Sequence, residues 1–259
     1  MQTAVISDIH GNAEAFKRVL EAIDRAGIER IISLGDIIGY GPDPMECLDL
    51  VRERCEWSLM GNHDFGVLYE PTNFNDVAEQ AAYWTREQLD NEPDEAKRAE
   101  RYDYLGRLRV RVADSVPGCG ASVLAVHGSP RRPINEYVFS EDVQQAPEKL
   151  ESIFERIDQL CICGHTHVPG VFTDEPDFYA PSELGEKPVY TFSEGEKAII
   201  NVGSVGQPRD LDPRASYAVF DEGRVEFCRV EYDASVTAER IRAVEQLHDY
   251  LADRILKGQ

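Results

Sequence analysis

Apolar residues in the first two thirds of the chain fall into two alternating kinds of segment. Short runs at Thr3 to Ser7, Ile31 to Leu34, Trp57 to Met60, Ser122 to Val126 and Leu160 to Cys163 have the length and continuity of buried strands. Between several of them, apolar residues recur three or four apart. Phe16, Val19, Leu20 and Ile23 predict a helix that starts near Asn12 or Ala13 and stops at Gly27. Pro44 suits the first turn of a second helix carrying Met45, Leu48 and Val51. Ser140 to Ile157 predicts a third helical region, bent or broken at Pro147. Strand and helix in alternation predict βα units around mainly parallel sheets.

The pattern changes from about Gly66 to Pro117. Two charged helical stretches, Val77 to Leu89 and Asp94 to Leu105, are broken by Pro93 and followed by the alternating Leu108, Val110 and Val112. This reads as a helical elaboration over about 66–117, either shaping substrate access or flanking the core. Gly170 to Lys197 is loop-rich, with hairpin strands expected at Val171 to Thr173 and Val189 to Phe192. Ala198 to Val202 is a further strand, and Tyr217 to Phe220 with Val225 to Val230 form an antiparallel hairpin about Asp221, Glu222 and Gly223. Ile241, Val244, Leu251 and Ile255 predict one amphipathic C-terminal helix at about 236–257. The whole of 1–259 reads as a single domain.

Composition narrows the class. A chain of 259 residues, 42% hydrophobic, suits one large α/β domain. No apolar run approaches the length of a membrane span and no leader-like segment precedes the first strand, so the expectation is a cytoplasmic protein without a membrane partner. Cys47, Cys55, Cys119, Cys161, Cys163 and Cys228 are scattered and read as reduced thiols. The net charge of −21 repels long polyanions, which excludes duplex nucleic acid as the expected partner and leaves small phosphates open. Six lysines among 27 basic residues fit a salty cytoplasm or simple solubility.

The chemistry lies where the apolar runs end. Asp8 and His10 follow the first, Asp36 the second, Asn62 and His63 the third, His127 the fourth, and His165 and His167 the fifth. Loops at the carboxyl ends of parallel strands converge on one crevice, so ligands far apart in sequence can meet there. Five of the six histidines occupy these loops. Carboxylate, amide and imidazole donors without thiolate suit Mn²⁺, Fe²⁺, Ni²⁺, Co²⁺ or Zn²⁺, and suffice for two ions sharing one carboxylate, with Asp36 the natural bridge. Two such ions would lower the pKa of a bound water and clamp phosphoryl oxygens.

Asp8-Ile9-His10-Gly11-Asn12, Gly35-Asp36, Gly61-Asn62-His63-Asp64, His127-Gly128 and Gly164-His165-Thr166-His167 together resemble the calcineurin-like metallophosphoesterases, in order and over nearly the whole chain. The resemblance implies a four-layer α-β-β-α sandwich of two mixed sheets. It implies a first metal held by Asp8, His10, Asp36 and His167, and a second by Asp36, Asn62, His127 and His165, with manganese favoured. It gives His63 the leaving-group oxygen or the phosphate. Asp64 would then raise the basicity of His63, or would cap a helix.

The chain departs from protein serine/threonine phosphatases and dinucleoside tetraphosphatases after Asp36, where Ile37-Ile38-Gly39-Tyr40-Gly41-Pro42 holds no arginine. With His127-Gly128-Ser129-Pro130 and Gly203 to Arg209 it is more similar to small bacterial and archaeal phosphodiesterase-like members. Asn12 and Arg209 are carried as substrate-binding candidates, Arg209 either meeting phosphate or pairing with an acid such as Asp210. Tyr40 either stacks on a base or sugar or packs within its loop. The expectation is hydrolysis of a phosphodiester or small organic phosphate, with a phosphomonoesterase or nucleotide pyrophosphatase, or a non-catalytic scaffold, as alternatives.

Overall fold

In the first strand, β1 (Thr3–Ile6), successive residues face different cores: Ala4 and Ile6 pack towards helices while Val5 packs towards a second sheet. That two-sided burial is what its continuous apolar run demands. The computed structural model describes residues 2–115 and 122–259. After β1 come α1 (Ala13–Arg25), β2 (Arg30–Ser33), α2 (Pro44–Arg54), β3 (Trp57–Ser58), α3 (Asn62–Leu68), α4 (Asp76–Asp90) and α5 (Glu95–Arg107). The chain continues through β4 (Arg111–Ser115), β5 (Ser122–Val126), α6 (Asp142–Gln145), α7 (Pro147–Phe154), β6 (Leu160–Cys163), β7 (Gly170–Thr173) and β8 (Asp177–Tyr179). It ends with β9 (Val189–Thr191), β10 (Ala198–Asn201), β11 (Ala215–Asp221), β12 (Arg224–Val230), α8 (Ala234–Arg242) and α9 (Asp249–Lys257).

The strands form two six-stranded mixed sheets, ordered β3-β2-β1-β11-β12-β9 and β4-β5-β6-β10-β7-β8. Val5, Ile32, Ala218 and Phe220 of the first meet Val123, Leu160, Ile162 and Ile200 of the second in a shared apolar layer. The outer face of the first sheet is covered by α1 and α2 through Phe16, Val19, Leu48 and Val51. Leu150, Ile153 and Phe154 of α7 cover Cys161, Cys163 and Ile199 of the second. This is the α-β-β-α sandwich. β1 runs parallel to β2, and β6 lies parallel to both β5 and β10, so the loops carrying Asp8, Asp36, His127 and His165 leave the same edge of the two sheets.

Several elements differ from the sequence reading. Val171 to Thr173 and Val189 to Phe192 do not pair as a hairpin; β7 pairs with β10 and β8, while β9 joins β12 in the other sheet. The third strand is short; Leu59, just past it, donates its N–H to Ser33 O of β2 (2.9 Å) and makes an isolated bridge to Arg109. The seven-residue α3 has no apolar period to announce it, its first turn being Asn62, His63 and Asp64. The single C-terminal helix is two, α8 and α9, separated at 243–248. Tight turns through Val244 and Leu247, with Leu247 buried and His248 capping α9 by accepting the Tyr250 N–H at 3.0 Å, keep the apolar spacing intact across the break. In the helical elaboration α4 and α5 pack against the α1/α2 layer, and α4 also packs against α8 and α9. Its end at 116–117, with Cys119, lies outside the described residues.

Candidate metal centre

The loop donors are buried and close. His10 Nε2 and His167 Nε2 lie 3.1 Å apart, and His167 Nε2 is 3.1 Å from Asp8 Oδ1. His127 Nε2 stands 3.2 Å from Asp36 Oδ2, 3.2 Å from His165 Nδ1 and 3.3 Å from Asn62 Oδ1. His10 Nε2 reaches the same Asp36 oxygen at 3.6 Å, so one carboxylate oxygen faces both sets. Asp8, His10 and His167 form one compact donor group and Asp36, His127 and His165 another, while His10, Asp36 and His63 also converge. Ligands bound to a common ion at about 2.0–2.2 Å stand at such separations from one another. The donor set therefore fits a dinuclear metal site.

The backbone is shaped for this convergence. Asp8, His10, Asp36, His165 and His167 all have left-handed φ, between 47° and 68°. Such a conformation costs a non-glycine residue roughly 1 kcal/mol or more, and Asp and His are among the types that bear it best. Cross-loop bonds hold it: Asp8 N–H donates to Gly35 O (3.0 Å), His10 N–H to Asp36 O (2.9 Å), and the Ser204 hydroxyl and Gly206 N–H both donate to Asp8 O (2.8 and 2.9 Å). Gly61 permits the approach to the bridging carboxylate, since a Cβ there would lie 2.0 Å from Asp36 Oδ1.

Imidazole orientation is set from behind. His127 Nδ1–H donates to Leu34 O (3.0 Å) and His167 Nδ1–H to Gln207 O (2.6 Å), which turns both Nε2 lone pairs inward. Burial holds His10 well below the ordinary histidine range and lowers His165 to about 3, the neutral state a ligand needs. Burial also works against His127, but the Asp36 and Asp8 carboxylates outweigh it and push that imidazole up to about 9. Burial raises the Asp8 and Asp36 carboxyls, yet His167 beside Asp8 and His127 beside Asp36 carry both well below the usual range.

A family model for the calcineurin-like phosphoesterase superfamily domain matches residues 1–224. The chain belongs to that superfamily. A metallophosphoesterase from Sphaerobacter thermophilus is 39% identical, with all of this chain and 99% of that one covered and a TM-score of 0.81. An uncharacterized protein of Methanocaldococcus jannaschii is 37% identical over 99% of this chain and 98% of its own length. A hypothetical protein of Pyrococcus horikoshii, 20% identical, has the same fold with a TM-score of 0.75 over all of this chain and 98% of its own. The protein is thus a metallophosphoesterase with buried His/Asp clusters, close to small archaeal and bacterial members.

Other candidates of this phosphoesterase have distinct places. Asn12 is fully buried and caps α1: its Oδ1 accepts from Ala15 N–H (3.1 Å) and the Thr237 hydroxyl (2.9 Å), while Nδ2 donates to Gly206 O (2.9 Å) and the Tyr232 oxygen (3.3 Å). Its hydrogen-bonding groups are thereby engaged inside the protein, not offered to substrate. Asp64 accepts N–H bonds from Asp36 (2.8 Å), Ile37 (3.0 Å), Ile38 (3.3 Å) and Gly61 (3.0 Å). It braces the bridging loop and the start of α3. The expected rise in His63 basicity is reversed, because burial lowers that imidazole to about 4 against the pull of Asp36.

His63 is seated between Tyr40 (ring centroids 4.2 Å apart) and Phe74 (4.7 Å), and its Nδ1 lies where a side chain at Gly39 would stand. Tyr40 packs on His10 as well (4.8 Å). Arg209 does not pair with Asp210, whose carboxylate is taken by Arg229; its guanidinium donates to Gln207 Oε1 (2.8 Å). Sequence reasoning missed Tyr137, stacked on His165 at 3.8 Å and 13°, and the carbonyl anchors at Leu34 and Gln207. Main-chain anchors leave no residue signature, and Tyr137 lies eleven residues beyond the end of β5 at Val126.

The helices contain no segment long and apolar enough to cross a membrane among the described residues. The described cysteines Cys47, Cys55, Cys161, Cys163 and Cys228 are free thiols.

Proposed function

We propose that this metallophosphoesterase hydrolyses a phosphodiester or small organic phosphate at the two donor groups that meet on Asp36. The observation that carries the reading is the single Asp36 oxygen facing His10 at 3.6 Å and His127 at 3.2 Å. Asp8, His10, Asp36 and His167 would hold one divalent ion and Asp36, Asn62, His127 and His165 a second, manganese being the favoured metal. Bound there, the ions supply Lewis acidity to the phosphoryl group and to the attacking water.

The chain's own residues complete the site. Two carboxylates against two divalent charges leave it cationic, so phosphate is attracted despite the acidic surface. His63, at the head of α3 and beside Asp36, directs an imidazole N–H at the phosphoryl or leaving-group oxygen. The aromatic seat of Tyr40 and Phe74 fixes its ring and excludes water from that side. Arg209 adds a guanidinium from the turn that also anchors His167.

The test is hydrolysis of bis(p-nitrophenyl) phosphate and p-nitrophenyl phosphate by metal-stripped protein, with Mn²⁺, Ni²⁺, Co²⁺, Zn²⁺ and Mg²⁺ restored singly. Metal-dependent turnover favouring the diester is expected. Preference for the monoester would replace the diester reading with the phosphomonoesterase one.

A further inference from the structure

Two arginines whose guanidiniums lie on the metal-centre side, Arg209 beside the Gln207 turn that anchors His167 and Arg254 in the cavity shared with Tyr40, pair with no carboxylate among the described residues. Arg209 donates to Gln207 Oε1 (2.8 Å) and to the Tyr137 hydroxyl, and Arg254, on α9, donates from Nε to Gln259 O (2.7 Å) and lies over the Tyr250 ring (5.3 Å). The acids beside them in sequence are paired elsewhere. Asp210 goes to Arg229 and Asp253 to Arg242. Arg209 Nε and Gln207 Nε2 are, in addition, buried N–H donors without an acceptor, and a buried unpaired donor costs about 1–3 kcal/mol by general precedent.

Arg254 lines a cavity of about 380 Å³ with Tyr40, Asn75, Asp76 and Tyr250. Tyr40 is shared with the metal centre, where it packs on His10 and His63. Asp76 alone would neutralise one guanidinium, so both arginines are needed for the region to stay positive. Burial, and after it the charge of Arg209, weakens the hold of Arg254 on its proton.

We infer that Arg209 and Arg254 form a second anion subsite beside the metal centre, so that the preferred substrate carries a second phosphate joined to the one being cleaved, as in a pyrophosphate or a nucleoside polyphosphate. The inference rests on the phosphoester reading for the first phosphate only. Arg209 and Gln207 supply N–H donors, Arg254 the second charge, and the Tyr40 and Tyr250 rings a wall for the organic part of the substrate.

The experiment is calorimetric binding of methylphosphonate, methylenediphosphonate and propane-1,3-diphosphonate to the intact metal-loaded protein, to Arg254→Gln and to Arg209→Gln, with thermal melting to verify folding. The parent should bind one diphosphonate at least tenfold more tightly than the monophosphonate, and each substitution should cut that preference about tenfold. Equal binding of mono- and diphosphonates by the parent would overturn the subsite, as would a preference that survives both substitutions. Should Arg254→Gln fail to fold, the parent and Arg209→Gln decide alone. Binding requires no turnover, so a protein inert to phosphoesters that keeps the preference would fail as a hydrolase while retaining the subsite.

Discussion

The carboxylate of Asp64 accepts the backbone N–H of Asp36 at 2.8 Å, so the residue that faces both donor groups is positioned by one that faces neither. Asp64→Ala leaves four buried amides without an acceptor, at Asp36, Ile37, Ile38 and Gly61. The expected loss is about 3–5 kcal/mol of stability, with Asp64→Asn costing roughly half because one acceptor oxygen remains. Urea unfolding of both variants checks this.

His63 has no side-chain hydrogen bond that holds the fold among the described residues, and its Nδ1 is unpartnered. His63→Ala is therefore expected to lower turnover about 10²–10⁴-fold while metal content stays near that of the parent. Turnover against bis(p-nitrophenyl) phosphate, alongside elemental analysis, reads both quantities. Unchanged turnover would remove His63 from the chemistry.

Asn12 acts on the fold. Asn12→Ala removes the cap of α1 and deprives Gly206 O and the Thr237 hydroxyl of a partner. The expected cost is about 2–4 kcal/mol in thermal or urea unfolding. KM for a dye ester should move little in whatever fraction remains folded, and a large rise in KM at unchanged stability would restore the substrate-binding role.

Glu136 ties down the segment that carries Tyr137 onto His165. It accepts from the Ser129 hydroxyl and from Arg131 Nε at 3.1 Å. Burial raises its carboxyl, but the Arg131 and Ser129 bonds outweigh this and hold it below the ordinary 4.5. A depressed folded pKa contributes stability above the unfolded value, and that contribution is lost as pH falls through the folded one. The stability difference between the parent and Glu136→Gln should thus be about 1 kcal/mol at pH 7 and shrink as pH drops below about 4.5. A difference that is constant from pH 7 to pH 3 would show that the carboxylate charge is not involved.

The parts of the site legible in the sequence are those where a strand runs out into a polar donor. Asp8, Asp36, His127 and His165 follow buried runs whose apolar continuity already reports burial on both faces, and parallel pairing brings their loops to one edge. Geometry that depends on turns was not legible. The role of Asp64 follows from α3, which has no apolar period, and Arg254 lines the cavity beside Tyr40 from α9, a second helix that starts after the break at His248. The separation of β7 from β9 into different sheets is decided by long-range pairing, which short apolar runs do not encode.

The bridging role of Asp36 is tested most directly by metal content measured together with turnover. Metal-stripped protein reloaded with Mn²⁺ should hold two ions per chain and hydrolyse the dye ester. Asp36→Asn should hold fewer than two and lose turnover by orders of magnitude. Two ions per chain in Asp36→Asn, or ester hydrolysis by the stripped parent at the reloaded rate, would contradict it.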